Sequence, residues 1–217
     1  MSPRRSAADA RLTHVRIIDR GIAIASVEGL EGLTIGRLAG DLGMSKAGVL
    51  GHFGTKEALQ LAALNRASAI FTRLVWDPAE DVRPGLPRLR AVCEAWIDYL
   101  ANARGFFPGG CLFTTASVEF DARGGPVRDA VARLFLVWRR RLASELRLAV
   151  EAGDLAPETD PEQIAFELIG LYMSLNLAIQ LLADPAAGEH ARRGVNRLLA
   201  PNPASPQAAL PPILLGG

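Results

Sequence analysis

Three observations predict an all-α fold: an N-terminal three-helix unit followed by a larger helical domain. Apolar residues recur in steps of three and four along almost the whole chain. No segment alternates apolar and polar residues with β-branched enrichment. Gly, Pro and capping Ser, Thr or Asp interrupt the apolar stripes at intervals that suit helices. A length of 217 residues fits one large domain, or a small one fused to a larger one. With 49% hydrophobic residues, 22% charged residues and a net charge of +1, the chain is ordinary globular material, so any nucleic-acid affinity must be local. Two cysteines exclude a disulfide scaffold, and the front of the chain lacks a leader pattern, which predicts a cytosolic protein.

Thr13 is placed to cap a first helix whose inner face is Val15, Ile18, Ile22 and Ala25, with Gly29 and Gly32 ending it. Thr34 opens a short helix showing Ile35, Leu38, Ala39 and Leu42, which Gly43 stops. Ser45 caps a third helix carrying Val49, broken by Gly54. Thr55 then begins a longer helix through Leu59, Ala63, Ile70 and Leu74, terminated by Asp77 and Pro78. These signals divide the chain into residues 1–56, a small N-terminal unit, and residues 57–200, a larger domain entered through a connecting helix over 57–75.

Beyond a linker at 77–85, Leu86, Leu89, Cys93, Trp96 and Leu100 mark another amphipathic helix, interrupted by the glycine-flanked loop 105–110. A shorter helix covers about 111–120. Pro126 opens a long one facing inward through Val131, Leu134, Trp138, Leu142, Leu146 and Ala149. Asp160 caps a helix over 161–182, and a last helix occupies 185–199. The tail 201–217, with five prolines, reads as irregular.

Residues 164–182 are apolar on nearly every side and approach bilayer-spanning length. Glu167, Asn176 and Gln180 within the stretch, acidic rather than basic flanks and the lack of aromatic belts argue against a membrane span. A helix apolar all round in a soluble protein needs covering on two faces, and the simplest second cover is a copy of itself.

The segment 35–53, IGRLAGDLGMSKAGVLGHF, carries the functional signal. Ala39, Gly43 and Val49 are spaced as two short helices crossing over a tight turn require. Ala39 permits close approach, Gly43 can take the left-handed turn conformation, and Val49 fills the angle with Leu38, Leu42 and Phe53. This is a helix-turn-helix, with residues 45–52 as the element presented to a major groove. Lys46, Ala47, Leu50 and Gly51 lie on its outer face and cannot all be core in so short a helix. Lys46 suits a guanine edge or a phosphate, Ala47 and Leu50 suit thymine methyls, and Gly51 permits close approach. Thr34, Ser45, His52, Thr55 and Lys56 are placed for phosphate oxygens. Charge agrees: residues 1–56 carry a net +3 and the remainder −2. Arg4 and Arg5 suit either a minor-groove arm or a loosely attracted terminus.

Residues 13–60, above all TIGRLAGDLGMSKAGVLGHFGTKEAL, resemble the DNA-binding domain of the TetR (tetracycline repressor) family of transcription regulators. Thr34, Ser45, Lys46, His52 and Lys56 match that family's DNA-facing positions, and Phe53 its buried aromatic. At Leu50 and Gly51 the chain departs from the aromatic pair, commonly two tyrosines, that most members carry. The resemblance implies a homodimer on double-stranded DNA at a palindromic operator, repression as the default sign, and release by a small apolar or aromatic effector. It also implies that the last two long helices pair with their copies in a four-helix bundle. Glu167, Leu171, Leu175, Ala178, Leu182 and Val195 are then the expected interface.

In the second domain, Trp96, Tyr99, Phe107, Phe113, Trp138 and Met173 are either core or the lining of an apolar ligand cavity. Glu119 and Asn176, polar groups in apolar stretches, are candidates for orienting a ligand. The alternative for Glu119 is an ion pair with Arg128 or Arg133. Cys93 and Cys111 suit small buried hydrophobes better than a redox pair. His14, His52 and His190 are far apart and lack neighbours at ligand spacing, so neither a metal site nor a cofactor is expected. No nucleophile elbow, phosphate-cradling loop or inward carboxylate pair supports an enzyme. A helical protein-interaction adaptor is the other alternative, separable from a DNA binder by salt dependence.

Overall fold

The computed structural model describes residues 7–202. Arg4, Arg5 and most of the proline-bearing tail lie outside them. Among the described residues there are nine α-helices and no strand: α1 (Ala7–Gly32), α2 (Ile35–Leu42), α3 (Lys46–Phe53), α4 (Lys56–Phe71), α5 (Leu86–Asn102), α6 (Leu112–Glu119), α7 (Pro126–Glu151), α8 (Pro161–Gln180) and α9 (Ala187–Leu198). None is long and apolar enough to cross a membrane.

The first helix departs from expectation at both ends. It already runs from Ala7, so the Thr13 hydroxyl, instead of capping, donates to the Asp9 carbonyl one turn back at 2.8 Å. Gly29, at φ 77° and ψ 167°, breaks it and leaves a last turn to Gly32. Val15 faces solvent, and the buried stripe is Ile17, Ile18, Ile22 and Ala25. Arg66 of α4 holds Asp19 of α1 at 2.7 Å, while Gln60 donates to the Leu30 carbonyl at 2.7 Å, so α4 is fastened along α1.

α4 passes through a π-helical turn, Thr72–Trp76, into the second domain. There α5, α7 and α8 enclose an aromatic core in which Trp96 stacks on Tyr172 with ring centres 3.7 Å apart. The Tyr172 hydroxyl donates to the Cys93 carbonyl at 2.7 Å, joining α8 to α5. Burial pushes the Cys93 thiol up to about 12, so it stays protonated and behaves as a small hydrophobe. The buried Glu145 carboxylate is met by the Gly85 amide at 2.7 Å and by Arg88 at 3.2 Å, which seats the start of α5 on α7. α9 closes the domain against α8 and α5, with a Leu171 methyl packed on Gly194, where a larger residue would have to push that side chain aside.

Candidate nucleic-acid interface and ligand cavity

The helix-turn-helix is built as its sequence requires. The Thr34, Ser45 and Thr55 hydroxyls accept from the amides of Arg37, Gly48 and Ala58 at 3.1, 3.0 and 3.0 Å, so all three cap their helices. Gly43 takes the left-handed conformation at φ 62°, and the Met44 amide donates back to the Ala39 carbonyl at 2.9 Å. Leu38, Ala39 and Val49 are fully enclosed behind the recognition helix α3. Its outer face stays open: Ser45, Lys46, Ala47, Leu50 and Gly51 are exposed, Leu50 to 44%. A Cβ at Gly51 would meet nothing, so the fold does not demand glycine there. The Lys46 stem crosses the start of α2 within 3.3 Å of where a Cβ on Gly36 would stand. His52 is half-buried beside His14, which in turn stacks on Phe53 at 4.7 Å.

Much of the local positive charge is spent inside this domain. Arg37 bridges Glu28 at 2.8 Å and Asp41 at 3.2 Å, and Arg20 binds Asp41 as well. The two guanidiniums lower the Asp41 carboxyl to about 2. Lys56, expected at a phosphate, bonds the Glu31 carboxylate and carbonyl, each at 2.9 Å, and so holds the end of α1. That contact holds the Glu31 carboxyl below its ordinary range. Lys46, Arg11 and Arg16 have no carboxylate partner among the described residues. Arg11 and Arg16 of α1 do not stand out in the sequence, where an exposed arginine on an amphipathic helix looks like any solvated charge.

In the second domain α4 to α8 enclose a cavity of about 100 Å³. Of the eight ligand candidates, Trp96, Phe113, Trp138 and Met173 line it. Ser68, Phe71, Thr72, Arg141 and Tyr172 line it too and had not been anticipated. Phe71, one of the lining residues, is edge-on to Trp96, Tyr99, Phe113 and Trp138 at 4.9 to 5.9 Å. The remaining four candidates are elsewhere. Tyr99 and Phe107 border a separate gap of about 10 Å³, room for about one water. Asn176 accepts from the Cys111 amide at 3.0 Å and so fixes the start of α6. Glu119 neither reaches the cavity nor pairs with Arg128 or Arg133. Its two oxygens accept from the amides of Leu30 and Glu31 at 2.7 and 2.8 Å, because the break at Gly29 frees those donors.

The apolar face that α8 leaves exposed in the protomer differs from the set expected at an interface. Leu175 and Val195 are buried within the protomer at 3% and 6%, Leu171 packs on α9, Ala178 is half-buried, and Glu167 accepts from Gln163 at 2.7 Å. Only Leu182 of that set is substantially exposed. The open apolar stripe is instead Phe166, Leu177 and Leu181, with Gly170 between them, one position out of phase with Leu171, Ala178 and Leu182.

Comparison with known proteins agrees with this geometry. Residues 17–63 match the family model for bacterial regulatory proteins of the tetR family, and residues 85–195 match the tetracyclin repressor-like C-terminal domain. The transcriptional regulator AcuR of Cereibacter sphaeroides is 27% identical over 163 residues, covering 74% of this chain and 73% of that one. A TetR-family regulator from Cytophaga hutchinsonii superposes with a TM-score of 0.76 at 22% identity, over 91% of this chain and 97% of its own. AibR, solved in complex with isovaleryl coenzyme A and operator DNA, superposes with a TM-score of 0.72 at 22% identity, over 87% and 98%. With both its halves matched and its recognition helix bare, the chain belongs to the TetR family of DNA-binding transcriptional regulators.

Proposed function

We propose that the protein acts in the cytoplasm as a homodimeric repressor, each protomer placing α3 in a major groove of a palindromic operator, and that a small apolar effector in the aromatic cavity releases it. The observation that carries the reading is the outer face of α3. Lys46, Ala47, Leu50 and Gly51 are exposed together on a helix held from behind by Val49, and no described residue covers them. Such a surface supplies a cation, methyl-contacting groups and a flat approach, which is the chemistry of base-edge readout. Thr34, Ser45 and Thr55 border it as caps whose hydroxyls keep a proton free for phosphate oxygens. Lys56 serves this surface indirectly, by tethering α1.

Dimerisation through Phe166, Leu177, Leu181 and Leu182 would bury the apolar stripe that α8 leaves open. Two recognition helices related by that axis should meet half-sites about 34 Å apart, or a multiple of it. Effector release needs the DNA-bound and effector-bound conformations to differ in affinity, by about 5.5 kcal/mol for a near-complete switch. AibR, whose structure holds isovaleryl coenzyme A and operator DNA together, supports the presence of both a ligand site and DNA binding in this fold. The test is selection of bound fragments from random DNA. A palindromic site bound by a dimer, with affinity falling steeply as salt rises, is expected. Salt-independent binding, or no enriched site, would remove DNA readout from the proposal.

A further inference from the structure

Trp138 holds the one buried side-chain nitrogen or oxygen that lacks a hydrogen-bond partner among the described residues, its indole Nε1. A buried donor left unmet is costly, and this one belongs to a residue that lines the cavity. Arg141, three positions along α7 and therefore on the same face, lines the cavity as well. Its guanidinium lies over the Trp76 ring, 4.0 Å from the centroid, and has no carboxylate partner among the described residues. Trp76 meets Trp138 edge-on at 6.1 Å, so the unmet N–H and the unpaired cation belong to one wall.

The remaining walls are aromatic and aliphatic, relieved by the hydroxyls of Ser68, Thr72 and Thr114. A box of rings can hold a cation through the ring quadrupole. Here, however, no Asp or Glu lines the cavity among the described residues, and the one charged side chain they place in its wall is cationic. That combination disfavours an amine and favours an anion.

Resting on the reading of this cavity as the effector site, we infer that the effector is a small monocarboxylic acid with a compact, flat apolar body. The carboxylate faces Arg141 and takes the Trp138 Nε1–H, closed off beforehand, as the ring turns on binding, while the body lies among Phe71, Trp96 and Tyr172. At about 10 to 15 Å³ per water-sized occupant, the cavity of about 100 Å³ holds on the order of seven to ten non-hydrogen atoms, the size of a benzoate or a phenylacetate.

Calorimetric titration of the full chain with phenylacetate, benzoate, 2-phenylethanol, 2-phenylethylamine and isovaleryl coenzyme A tests this. The acids should bind at least about tenfold more tightly than the alcohol, given the usual strength of a hydrogen bond to a charged group. The amine and the thioester should bind no better than the alcohol. Trp138→Phe, which keeps a ring but deletes the N–H, should weaken acid binding by about tenfold. Arg141→Gln, at an exposed position, should erase the preference of acid over alcohol with an unchanged melting curve. Alcohol, amine or thioester bound as tightly as the acids, no acid bound at all, or acid affinity unaltered in Arg141→Gln overturns the inference. An operator gel shift run in parallel separates the two readings. Acids that bind without releasing DNA would defeat the effector role and leave the carboxylate site standing. Operator binding with no acid bound would do the reverse.

Discussion

One carboxylate oxygen of Glu119 lies 2.7 Å from the amide nitrogen of Leu30, so a side chain of α6 caps the final turn of α1 across 89 positions of sequence. The other oxygen takes the Glu31 amide, and Glu31 in turn holds Lys56 of α4. At its opposite end α6 is fixed by Asn176, and along its length Phe113 and Thr114 face the cavity. A ligand pressing on Phe113 therefore bears on a short rod whose far end grips the DNA-binding domain. In Glu119→Ala the two amides lose their acceptor, and stability should fall by about 1–3 kcal/mol. Operator binding should persist while release by effector is blunted, as read by denaturant unfolding and by gel shift with and without ligand. Full release by effector in the variant would show that the coupling runs elsewhere.

Gly29 is the other half of this contact. It sits at φ 77°, and a Cβ there would stand 2.7 Å from a Glu119 oxygen. Gly29→Ala should destabilise by about 1–3 kcal/mol through backbone strain alone, with the clash adding to it. Because the clash vanishes when Glu119 is shortened, the double variant with Glu119→Ala should be more stable than the two single losses predict. Strict additivity in a double-mutant cycle would deny the contact.

The helix-turn-helix was legible in the sequence because its determinants are local. Ala39, Gly43, Ser45 and Val49 act within one short segment, and each residue type has a backbone or packing reason to stand where it does. Long-range polar contacts were not legible. Glu119 and Asn176 stood out as polar groups in apolar stretches, yet their partners are backbone amides 89, 88 and 65 positions away, and backbone donors leave no mark on side-chain pattern. Lys56 looked like a phosphate ligand from its place at the start of a helix and from the family motif, and nothing in the spacing reveals Glu31 beside it. The phase of α8 was not legible for another reason. A helix apolar on nearly every side has no polar face to set its phase, so Leu175 and Leu177 are indistinguishable until a neighbour covers one of them.

Lys46 is the exposed cation of α3, and its charge is not engaged by any carboxylate among the described residues. Lys46→Glu should abolish specific operator binding in a gel shift while leaving the melting temperature and the dimer nearly unchanged. A surface substitution of this kind usually moves stability by less than about 0.5 kcal/mol. Retained operator affinity would displace α3 as the reading element.

Asp41 supplies a pH test. Its carboxyl titrates at about 2 instead of the ordinary 3.8 because Arg20 and Arg37 bind the ionised form. The folded state therefore holds this proton less tightly than the unfolded chain. The resulting stabilisation is fully present above 3.8 and is lost as pH falls through about 2. Asp41→Asn should flatten the fall in stability over that interval and lower stability at neutral pH, measured by thermal melts across pH. An unchanged acid limb in the variant would show that Asp41 does not carry it.

Leu175 of α8 and Leu181, which caps its C-terminal end, stand six positions apart and should respond oppositely to the same substitution. Leu181 is 73% exposed, so a protomer tolerates a charge there, and only the burial of the stripe in a dimer would make it costly. Leu175 is 3% exposed inside the protomer, where an unpaired arginine has no water and no counter-charge. Leu181→Arg should thus give a folded monomer with helical content intact. Leu175→Arg should give an unfolded or aggregated chain. Light scattering and circular dichroism together distinguish the outcomes. A folded dimer in Leu181→Arg would place the subunit contact on another surface, and operator affinity should survive in that case. If the monomer does form, half-site binding should weaken sharply, because each protomer then offers a single recognition helix to a site built for two.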